Sequence, residues 1–354
     1  MSEAILVAGG AGFVGSSIAI ALRECGAARR VVAIDSLRRR GSELNLPRLR
    51  SAGVEFVHGD IRVFDDLAAV GDVDAVIECG GEASVLAGYA GSPQFVLQAN
   101  LTGAMNCFEY ARTRGAAVIF LSSSRVYPIA ALQGLRYGET ETRFSLLDEQ
   151  EVPGASSRGI AESFTLDGVR SFYGATKLSA ELLLQEYSAA YGIAGVINRC
   201  GLIAGPWQMG KLDQGVVALW VARHVFQRPL SYIGFEGSGK QVRDVLHIAD
   251  LTRLILLQLK DLARLSGQVY NVGGGVANSA SLLELTALCE SACGQATQIT
   301  SDPAPRPADL PLYITDAGKI FEATGWRPEH SVARTVADVH AWIVENKSAL
   351  RDVF

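Results

Sequence analysis

The sequence predicts an α/β fold in which a doubly wound parallel sheet is followed by a smaller mixed α/β domain. Three observations carry this prediction. Apolar strand-like runs alternate with helical runs through the first half, a glycine-rich turn joins the first strand to the first helix, and the pattern becomes looser after about residue 190. Strands that are apolar throughout are typical of a parallel sheet covered by helices on both faces.

The elements follow one another in a regular order. Strands are predicted at Ile5–Ala8, Val31–Asp35, Val54–His58, Ala75–Cys79, Val118–Ser122 and Gly195–Arg199, and shorter ones at Leu230–Ile233 and Val269–Val272. Helices are predicted at Ser16–Arg23, Phe95–Thr113 and Ala175–Tyr191. The predicted domains are residues 1–190, with a return segment near 240–262, and residues 191–354. The irregular stretch Tyr127–Tyr173 has a length typical of a functional or oligomer-forming segment.

Composition restricts the class of protein. The 354 residues carry a formal net charge of −5, which offers no electrostatic footprint for nucleic acid or an anionic membrane. The N-terminus enters the first strand without a signal peptide, and no apolar run reaches the ~18 residues that a membrane helix needs. Six cysteines lack CxxC spacing, and Cys289 and Cys293 have no histidine near them in sequence. We expect a reduced, cytoplasmic protein without a metal, in which these two cysteines pack a helix.

Three glycines stand between the first strand and the first helix. Gly9 lets the chain turn out of the strand, Gly12 leaves room for a pyrophosphate at the backbone, and Gly15 lets the helix pack close to the sheet. The N–H groups at the start of that helix then face the phosphates. Because the turn has a strand before it and a helix after it, the motif predicts a Rossmann-type dinucleotide site.

Asp35 indicates which dinucleotide is bound. It ends the second strand about 20 residues after the last glycine, where a carboxylate accepts hydrogen bonds from the adenosine ribose. A carboxylate repels a 2′-phosphate, so NAD is favoured over NADP. Arg38, Arg39 and Arg40 follow closely and leave NADP open.

A second motif lies at the start of the helix predicted from residue 175. Tyr173 and Lys177 are four residues apart and share one helix face. An ammonium near a phenol favours the phenolate and suits it to act as a general base. Ser122, Ser123 and Ser124 end a strand at the sheet edge where ligands bind. We expect the third serine to hydrogen-bond the reacting hydroxyl and the ketone derived from it; capping of the strand end is the structural alternative.

Together these motifs resemble the extended short-chain dehydrogenase/reductases, in the NAD-dependent epimerase/dehydratase group that acts on nucleotide sugars. The resemblance covers nearly the whole chain. Within the group, the segments similar to the CDP-paratose (CDP-tyvelose) 2-epimerases are RRRGSELNLPRL (39–50), VHGDIR (57–62), YGETETRF (137–144), DQG (213–215), GKQVRDVLH (239–247) and NSASLLEL (278–285).

This resemblance implies a redox-neutral isomerase with a tightly bound NAD that is regenerated in each turnover. A sugar carbon, C2 in the CDP-paratose enzymes, is oxidised to a ketone and receives the hydride back on its opposite face. An epimerase or oxidoreductase acting on a UDP- or GDP-sugar is the alternative, and a non-catalytic dinucleotide sensor is a remote one. The implied partners are the nucleotide-diphosphate sugar and a second copy of the chain, in a homodimer or homotetramer built on the two long helices.

The resemblance also assigns residues. Catalysis is implied for Ser124, Tyr173 and Lys177. Cofactor contacts are implied for Gly9, Gly12, Phe13, Val14, Gly15, Asp35, Ser36, Arg38, Asp60, Ile61, Asn100, Ser122, Tyr173 and Lys177. Substrate contacts are implied for Ser124, Arg125, Arg199, Gln214, Arg243 and Arg306, with Asp213 and Gln214 in a sugar-facing loop.

Some of these positions have structural alternatives or depart from the family. Arg125 is equally well explained as a loop-bracing arginine, and Arg243 as half of an ion pair with Asp244. His247 is expected to be packed and hydrogen-bonded rather than catalytic. The end of the fourth strand reads Glu78-Cys79-Gly80-Gly81, where relatives commonly have a His-Leu-Ala run. Dehydration is disfavoured because Arg125-Val126-Tyr127 follows Ser124, where sugar dehydratases carry an Asp-Glu pair.

Overall fold

The computed structural model describes residues 2–210, 214–304 and 306–354. Its strands are β1 Ser2–Ala8, β2 Ala28–Asp35, β3 Glu55–His58, β4 Ala75–Glu78, β5 Ala117–Ser123, β6 Tyr137–Glu139, β7 Phe144–Leu146, β8 Ala155–Ser156, β9 Gly159–Ile160, β10 Gly195–Cys200, β11 Leu202–Ala204, β12 Leu230–Ile233, β13 Val242–His247, β14 Val269–Val272, β15 Ser279–Ser281, β16 Ile299–Asp302 and β17 Leu312–Tyr313. Its α-helices are α1 Phe13–Glu24, α2 Leu46–Ser51, α3 Phe64–Ala68, α4 Gln94–Val96, α5 Gly103–Arg114, α6 Ile129–Gln133, α7 Phe172–Tyr191, α8 Val216–Val225, α9 Ile248–Lys260, α10 Leu262–Leu265, α11 Leu282–Cys293, α12 Gly318–Thr324, α13 Val332–Glu345 and α14 Lys347–Leu350.

Within the described residues, seven strands form one sheet in the order β14-β10-β5-β4-β1-β2-β3. β1 pairs in parallel with both β2 and β4, and these pair in parallel with β3 and β5. The chain therefore winds outward from β1 in one direction and from β4 in the other, which is the doubly wound topology that the alternating pattern predicts. Ligands of such sheets bind beyond the carboxyl ends of the strands where the order reverses.

The strands are apolar because helices cover both faces of the sheet. Leu6 of β1, Val76 of β4 and Phe120 of β5 are fully buried in one apolar cluster with Phe108 of α5. Each such side chain contributes about 1.5–3 kcal/mol on burial. This core fixes where β1, β4 and β5 end, and so fixes the loops that follow them.

The chain forms two compact units, and each is assembled from three segments. The first contains Met1–Val126, Phe172–Arg199 and Thr252–Tyr270, and the second contains Tyr127–Ser171, Cys200–Leu251 and Asn271–Phe354. The predicted division at residue 190 lies near Arg199, where the second of these segments ends, and the predicted return segment near 240–262 overlaps Thr252–Tyr270. The second unit is also similar in size to the first, and not smaller, since it takes up the segment before Phe172.

The segment after Val126 is held by a buried tyrosine. The hydroxyl of Tyr127 donates to Oδ1 of Asn271 at 2.7 Å, and its ring contacts those of Phe164 and Tyr313. The segment contains α6 and the antiparallel pairs β6–β7 and β8–β9. It is therefore an ordered part of the second unit, built from short elements whose pattern is too brief to recognise in the sequence.

The remaining strands of the second unit form small sheets. β13 pairs in parallel with β11 and β17 and antiparallel with β15. A separate parallel pair joins β12 to β16. This arrangement agrees with the mixed α/β character that the looser pattern predicts.

One predicted helix is interrupted. The sequence predicts a continuous helix over Phe95–Thr113, but α4 and α5 are separated by a π-helical stretch, Leu97–Thr102. Such stretches insert one extra residue per turn and often occur at functional sites. In this chain it carries Asn100, one of the predicted cofactor residues.

Candidate active site

The turn after β1 carries the three predicted glycines. Gly9 has a φ of +70°, and a Cβ on Gly15 would lie 2.2 Å from the Gly9 carbonyl oxygen. Gly12 is the N-cap of α1, and Phe13 and Val14 begin that helix half-buried. The first N–H groups of a helix have no partner within it and lie at the positive end of its dipole. This glycine turn therefore fits the diphosphate of a dinucleotide.

Asp35 lies beside the glycine turn at the end of β2. Its carboxylate oxygens accept hydrogen bonds from the backbone N–H groups of Ala11 at 3.1 Å and Leu37 at 2.8 Å. Burial raises the pKa of Asp35, and these N–H groups oppose the rise. Ser36 follows directly, and its carbonyl oxygen lies 3.3 Å from Nε2 of His58. The carboxylate is thus fixed at the position where sheets of this type bind the ribose of a dinucleotide.

Three more predicted cofactor residues come from the loops after β2 and β3. The guanidinium of Arg38 lies 4.1 Å from the centre of the Phe95 ring. Asp60 pairs with Arg62 at 2.5 Å, and this bond lowers the pKa of the carboxyl group. Ile61 packs partly buried against the core. Their contacts with a cofactor stay predictions.

Asn100 connects two parts of the first unit. Its Oδ1 accepts from the N–H of Glu82 at 2.7 Å, and its Nδ2 donates to the Glu82 carbonyl at 3.0 Å and to Oγ1 of Thr176 at 3.2 Å. Thr176 in turn donates to the carbonyl of Tyr173 at 2.7 Å. The amide therefore ties the loop after β4 to the first turn of α7, and its predicted cofactor contact stays a prediction.

The three residues predicted to carry the chemistry all belong to the first unit. Ser124 is half-buried and begins the 3₁₀ turn that follows β5. Tyr173, half-buried, and Lys177, which is 7% exposed, stand one helical turn apart on α7. Helix α7 packs against the 3₁₀ turn. The structure thus brings the serine turn and the tyrosine–lysine face of the helix together.

Lys177 is an ammonium buried with a carboxylate. Its Nζ lies 3.5 Å from Oε2 of Glu78 and 4.7 Å from the centre of the Phe120 ring. Burial alone would lower the pKa of Lys177, but Glu78 and the Tyr173 phenol outweigh this effect and the pKa is raised. The lysine therefore carries its charge at neutral pH, which is the state that favours a phenolate nearby.

Arg199 and Ser122, which are predicted to contact ligands, both bind a buried carboxylate. Arg199 and Glu181 are 5% and 1% exposed, and the guanidinium donates to the carboxylate from both Nε and NH2, at 2.7 to 3.1 Å. Ser122 donates to the same carboxylate at 2.5 Å. The arginine therefore neutralises a carboxylate inside the first unit, and the Ser122 hydroxyl completes this network. The substrate contact of Arg199 and the cofactor contact of Ser122 stay predictions.

Arg125 lies in the 3₁₀ turn directly after Ser124. Its side chain is half-buried, and its backbone N–H donates to Oγ of Ser123 at 3.2 Å. This bond fixes the path of the turn. The substrate contact predicted for the Arg125 side chain stays a prediction.

Arg243 of β13 lies in the second unit with a partner that the sequence did not suggest. Its NH2 donates to Asp309 at 3.3 Å and to the Leu310 carbonyl at 2.9 Å. Asp244 faces elsewhere: it accepts from the N–H of Gly275 at 3.1 Å, and burial raises its pKa to about 6. The structural alternative of an Arg243–Asp244 pair is therefore wrong, because neighbouring residues on a strand point to opposite faces.

The other predicted substrate residues also belong to the second unit. Gln214 and Arg306 are half-buried. Asp213 lies outside the described residues. The contacts predicted for these residues stay predictions.

His247 is packed and hydrogen-bonded, as predicted. Its ring stacks on that of His330 with centroids 4.3 Å apart, and its Nδ1 accepts from the N–H of Ala249 at 3.1 Å. Burial, reinforced by His330, lowers the pKa of His247 to about 4. The imidazole is therefore neutral at physiological pH.

Sequence reasoning missed the acidic partners of this site. Neither Glu78 nor Glu181 is among the residues that the sequence predicts for the site. Each had a signal: Glu78 interrupts an apolar strand, and Glu181 follows Lys177 by one helical turn on the buried face of α7. A carboxylate at such a position requires a cationic partner.

The first unit combines a parallel sheet, a glycine turn at its switch point, and a helix that presents tyrosine and lysine to a serine turn. This combination defines a dinucleotide-dependent enzyme that moves hydride and protons. Residues 5–273 match the NAD dependent epimerase/dehydratase family. The chain belongs to this family.

Individual relatives match over nearly their whole length. CDP-paratose 2-epimerase of Salmonella typhi is 31% identical over 349 residues, which cover 96% of this chain and 98% of that protein. UDP-glucose 4-epimerase of Yersinia pestis is 29% identical, covering 98% and 99%. Among solved structures, a dTDP-glucose 4,6-dehydratase from Streptomyces venezuelae with NAD bound has a TM-score of 0.79 and 28% identity, covering 99% of both chains.

These findings confirm part of what the sequence predicts. The α/β fold with a Rossmann-type parallel sheet, NAD as cofactor and an epimerase-type enzyme related to nucleotide-sugar enzymes are confirmed.

Among the helices that the structure describes, none is long and apolar enough to cross a membrane. In the same part of the chain no group of three or more His, Cys, Asp or Glu is arranged to hold a metal ion.

Proposed function

We propose that this chain is an NAD-dependent epimerase of a nucleotide sugar, most similar in reaction to the CDP-paratose 2-epimerases. The observation that carries the proposal is the charged, buried Lys177 one helical turn from Tyr173, beside the turn that begins with Ser124. The 31% identity to a CDP-paratose 2-epimerase over almost the full length supports the choice of sugar nucleotide.

Each catalytic residue has one task. Tyr173, as the phenolate, removes the proton from a sugar hydroxyl, and later returns it to the alkoxide. Ser124 donates a hydrogen bond to the ketone oxygen. Lys177 stabilises the phenolate by its charge. A bound NAD would supply the hydride acceptor and donor for the sugar carbon, so that the overall reaction is redox-neutral.

The cofactor is held by the loops at the carboxyl ends of β1, β2 and β3. We assign the diphosphate to the turn of Gly9, Gly12 and Gly15 with Phe13 and Val14, the adenosine ribose to Asp35 and Ser36, and the adenine to Arg38, Asp60 and Ile61. Asn100 supports this assignment from the π-helical stretch, where it orders the loop after β4.

The substrate end is assigned to residues that bind phosphate and sugar hydroxyls well. Guanidinium groups form paired hydrogen bonds with phosphate oxygens, so Arg243 and Arg306 are assigned to the diphosphate. Gln214 and Arg125 are assigned to the sugar. Arg243 exchanges its bond to Asp309 for the diphosphate in this proposal.

Epimerisation is favoured over dehydration by the residues after Ser124. Water loss needs an acid and a base at the sugar, and this chain has Arg125-Val126-Tyr127 in that position. Tyr127 is itself buried, with its hydroxyl bound to Asn271. The 3₁₀ turn therefore offers no carboxylate for the removal of a proton from carbon.

The first experiment is a product assay with CDP-, UDP- and GDP-hexoses, followed by proton NMR and by the absorbance of NADH. An epimer of a CDP-sugar inverted at C2, with no net NADH, is the expected result. Inversion of only UDP- or GDP-sugars would support the alternative substrate class. Net NADH would point to an oxidoreductase, and no product with any sugar, together with NAD binding, would support the dinucleotide sensor.

We also propose a homodimer or homotetramer in the cytoplasm. Apolar side chains are exposed along the segment of α4 and α5 and along α7: Leu97, Met105, Phe172, Leu182 and Tyr191. Exposed apolar side chains on two helices that pack against each other support pairing with a second copy. The free thiols of Cys25, Cys107, Cys289 and Cys293 support a reducing compartment.

A further inference from the structure

Glu78 is a carboxylate in the middle of the first unit. It is the last residue of β4, paired with Ala8 of β1 on one side and Phe120 of β5 on the other, and its side chain is 1% exposed. A charge in such a place is costly unless a specific partner compensates it. The proposed reaction so far gives Glu78 no role.

The partner is the catalytic lysine. Oε2 of Glu78 lies 3.5 Å from Nζ of Lys177, and the carboxylate also accepts the N–H of Gly80. Both side chains are almost completely buried, so solvent screens their interaction little. The ammonium is therefore held between the carboxylate, the Phe120 ring and the first turn of α7.

Few other titratable groups face this pair. Tyr173 approaches Lys177 from α7, Cys79 follows Glu78 in the chain, and Cys107 faces the pair from α5. Burial raises the pKa of Glu78 and of Cys107, while Lys177 opposes both shifts. The charged groups around Lys177 are therefore Glu78 and, one helical turn further along α7, Glu181 in its pair with Arg199.

We propose that Glu78 is a positioning residue for the reaction: it holds the Lys177 ammonium on the tyrosine face of α7 and offsets part of its charge, and so sets the pH range in which Tyr173 acts as a base. This inference rests on the proposed role of Tyr173. It also gives a function to a buried carboxylate that the proposed reaction otherwise leaves without one.

The sign of the effect follows from charge alone. Glu78→Gln removes one negative charge while keeping the size and a hydrogen-bond acceptor. Both remaining groups then lose protons more readily: Tyr173 because it feels the full ammonium, and Lys177 because it loses its counter-ion. The acidic and basic limbs of kcat/KM both move to lower pH, by about 1 unit or more at such short range.

Two measurements test the proposal. The first is the pH profile of kcat/KM for wild type and Glu78→Gln. The second needs no sugar: the absorbance of tyrosinate is titrated with pH in the NAD-bound protein. Wild type and Glu78→Gln are each compared with the same protein carrying Tyr173→Phe, and the difference in absorbance between the two gives the titration of Tyr173. The expected result is a midpoint for Tyr173 that falls in Glu78→Gln. Unchanged midpoints with a lower kcat would overturn the proposal and leave Glu78 a packing role.

Two further variants keep the outcome interpretable. Glu78→Asp retains the charge but moves it away from Lys177, so the midpoint of Tyr173 falls by less than in Glu78→Gln. This variant provides the test if Glu78→Gln does not fold. Cys107→Ala changes packing beside the pair without changing charge, and its midpoints stay at the wild-type values; a shift as large as that of Glu78→Gln contradicts the inference. If no nucleotide sugar reacts, the tyrosinate titration still decides the role of Glu78.

Discussion

The proposed proton transfer depends on one group, the hydroxyl of Tyr173. Tyr173→Phe removes the only group assigned to proton transfer but leaves the glycine turn and Asp35 unchanged. We expect kcat to fall by about 10²–10⁴-fold, the usual contribution of general acid–base catalysis. NAD binding, measured by fluorescence titration, should change little. Near-normal turnover by this variant would remove Tyr173 from its assigned role.

The ion pair between Arg199 and Glu181 gives a prediction about stability. Arg199→Met leaves the carboxylate of Glu181 buried without its cation, which lowers the free energy of unfolding by about 3–5 kcal/mol. Urea denaturation measures the loss. The double variant with Glu181→Leu should recover most of it, because both charges are then absent.

The same pair separates a structural role from substrate binding. If Arg199 acts only through Glu181, the double variant keeps a KM near the wild-type value. A KM raised tenfold or more in a stable double variant would instead support the substrate contact predicted from the sequence.

At the scale of elements, the glycine turn between β1 and α1 allows a sharp test of cofactor binding. A methyl group on Gly15 would meet the Gly9 carbonyl oxygen at 2.2 Å, so the turn has to move. Such crowding costs about 1–3 kcal/mol, which corresponds to roughly 5- to 150-fold in NAD affinity for Gly15→Ala. Calorimetric titration measures it. Gly91→Ala, where the added Cβ meets nothing within 4 Å, is the matched control and should bind NAD normally.

Elements with strong local signals were predictable, and those fixed by distant partners were not. The strand Val269–Val272 has the predicted bounds, because a short apolar run is decided locally. The π-helical stretch around Asn100 has no local signal, since it depends on bonds to Glu82 and Thr176. The glycine turn could be predicted because its residues are close together in the sequence. The Arg199–Glu181 pair could not, because its two residues lie on different elements and meet only after folding.

For the whole molecule, the exposed apolar residues of α5 and α7 make a prediction about assembly. Leu182 is 56% exposed, and Leu182→Glu would place a charge in the proposed pairing surface. Light scattering at micromolar concentration should give twice the monomer mass or more for wild type and the monomer mass for the variant. Val344→Glu, an exposed apolar residue on α13, is the control and should keep the wild-type mass. A monomeric wild-type protein contradicts the proposed assembly.

The pH dependence of stability also belongs to the whole molecule. The pKa of His247 falls to about 4 in the folded state, so between pH 6.5 and 4 the unfolded chain binds an extra proton and stability is lost as the pH falls. Between pH 7 and 5 this amounts to about 2 kcal/mol. His247→Asn keeps an acceptor for the Ala249 N–H but does not titrate, so its unfolding free energy should fall less over this range.

Chemical denaturation at the two pH values measures the difference for His247→Asn. Asp244, whose pKa is raised to about 6 by burial, acts in the opposite direction, but it contributes equally to wild type and variant and cancels. If the unfolding free energy of His247→Asn falls as much as that of wild type between pH 7 and 5, another group controls the loss of stability in acid.

The strand order has a consequence for how the protein is made. β5 ends at Ser123, but its neighbour β10 begins only at Gly195, and the edge strand β14 only at Val269. At about 5–20 residues per second, a ribosome takes on the order of 10 s to travel from Ser123 to Val269. During that interval the apolar edge of β5, and later that of β10, is exposed to other nascent chains. Folding of the first unit can finish only when three-quarters of the polypeptide has emerged, so holdase chaperones have a defined period in which to act.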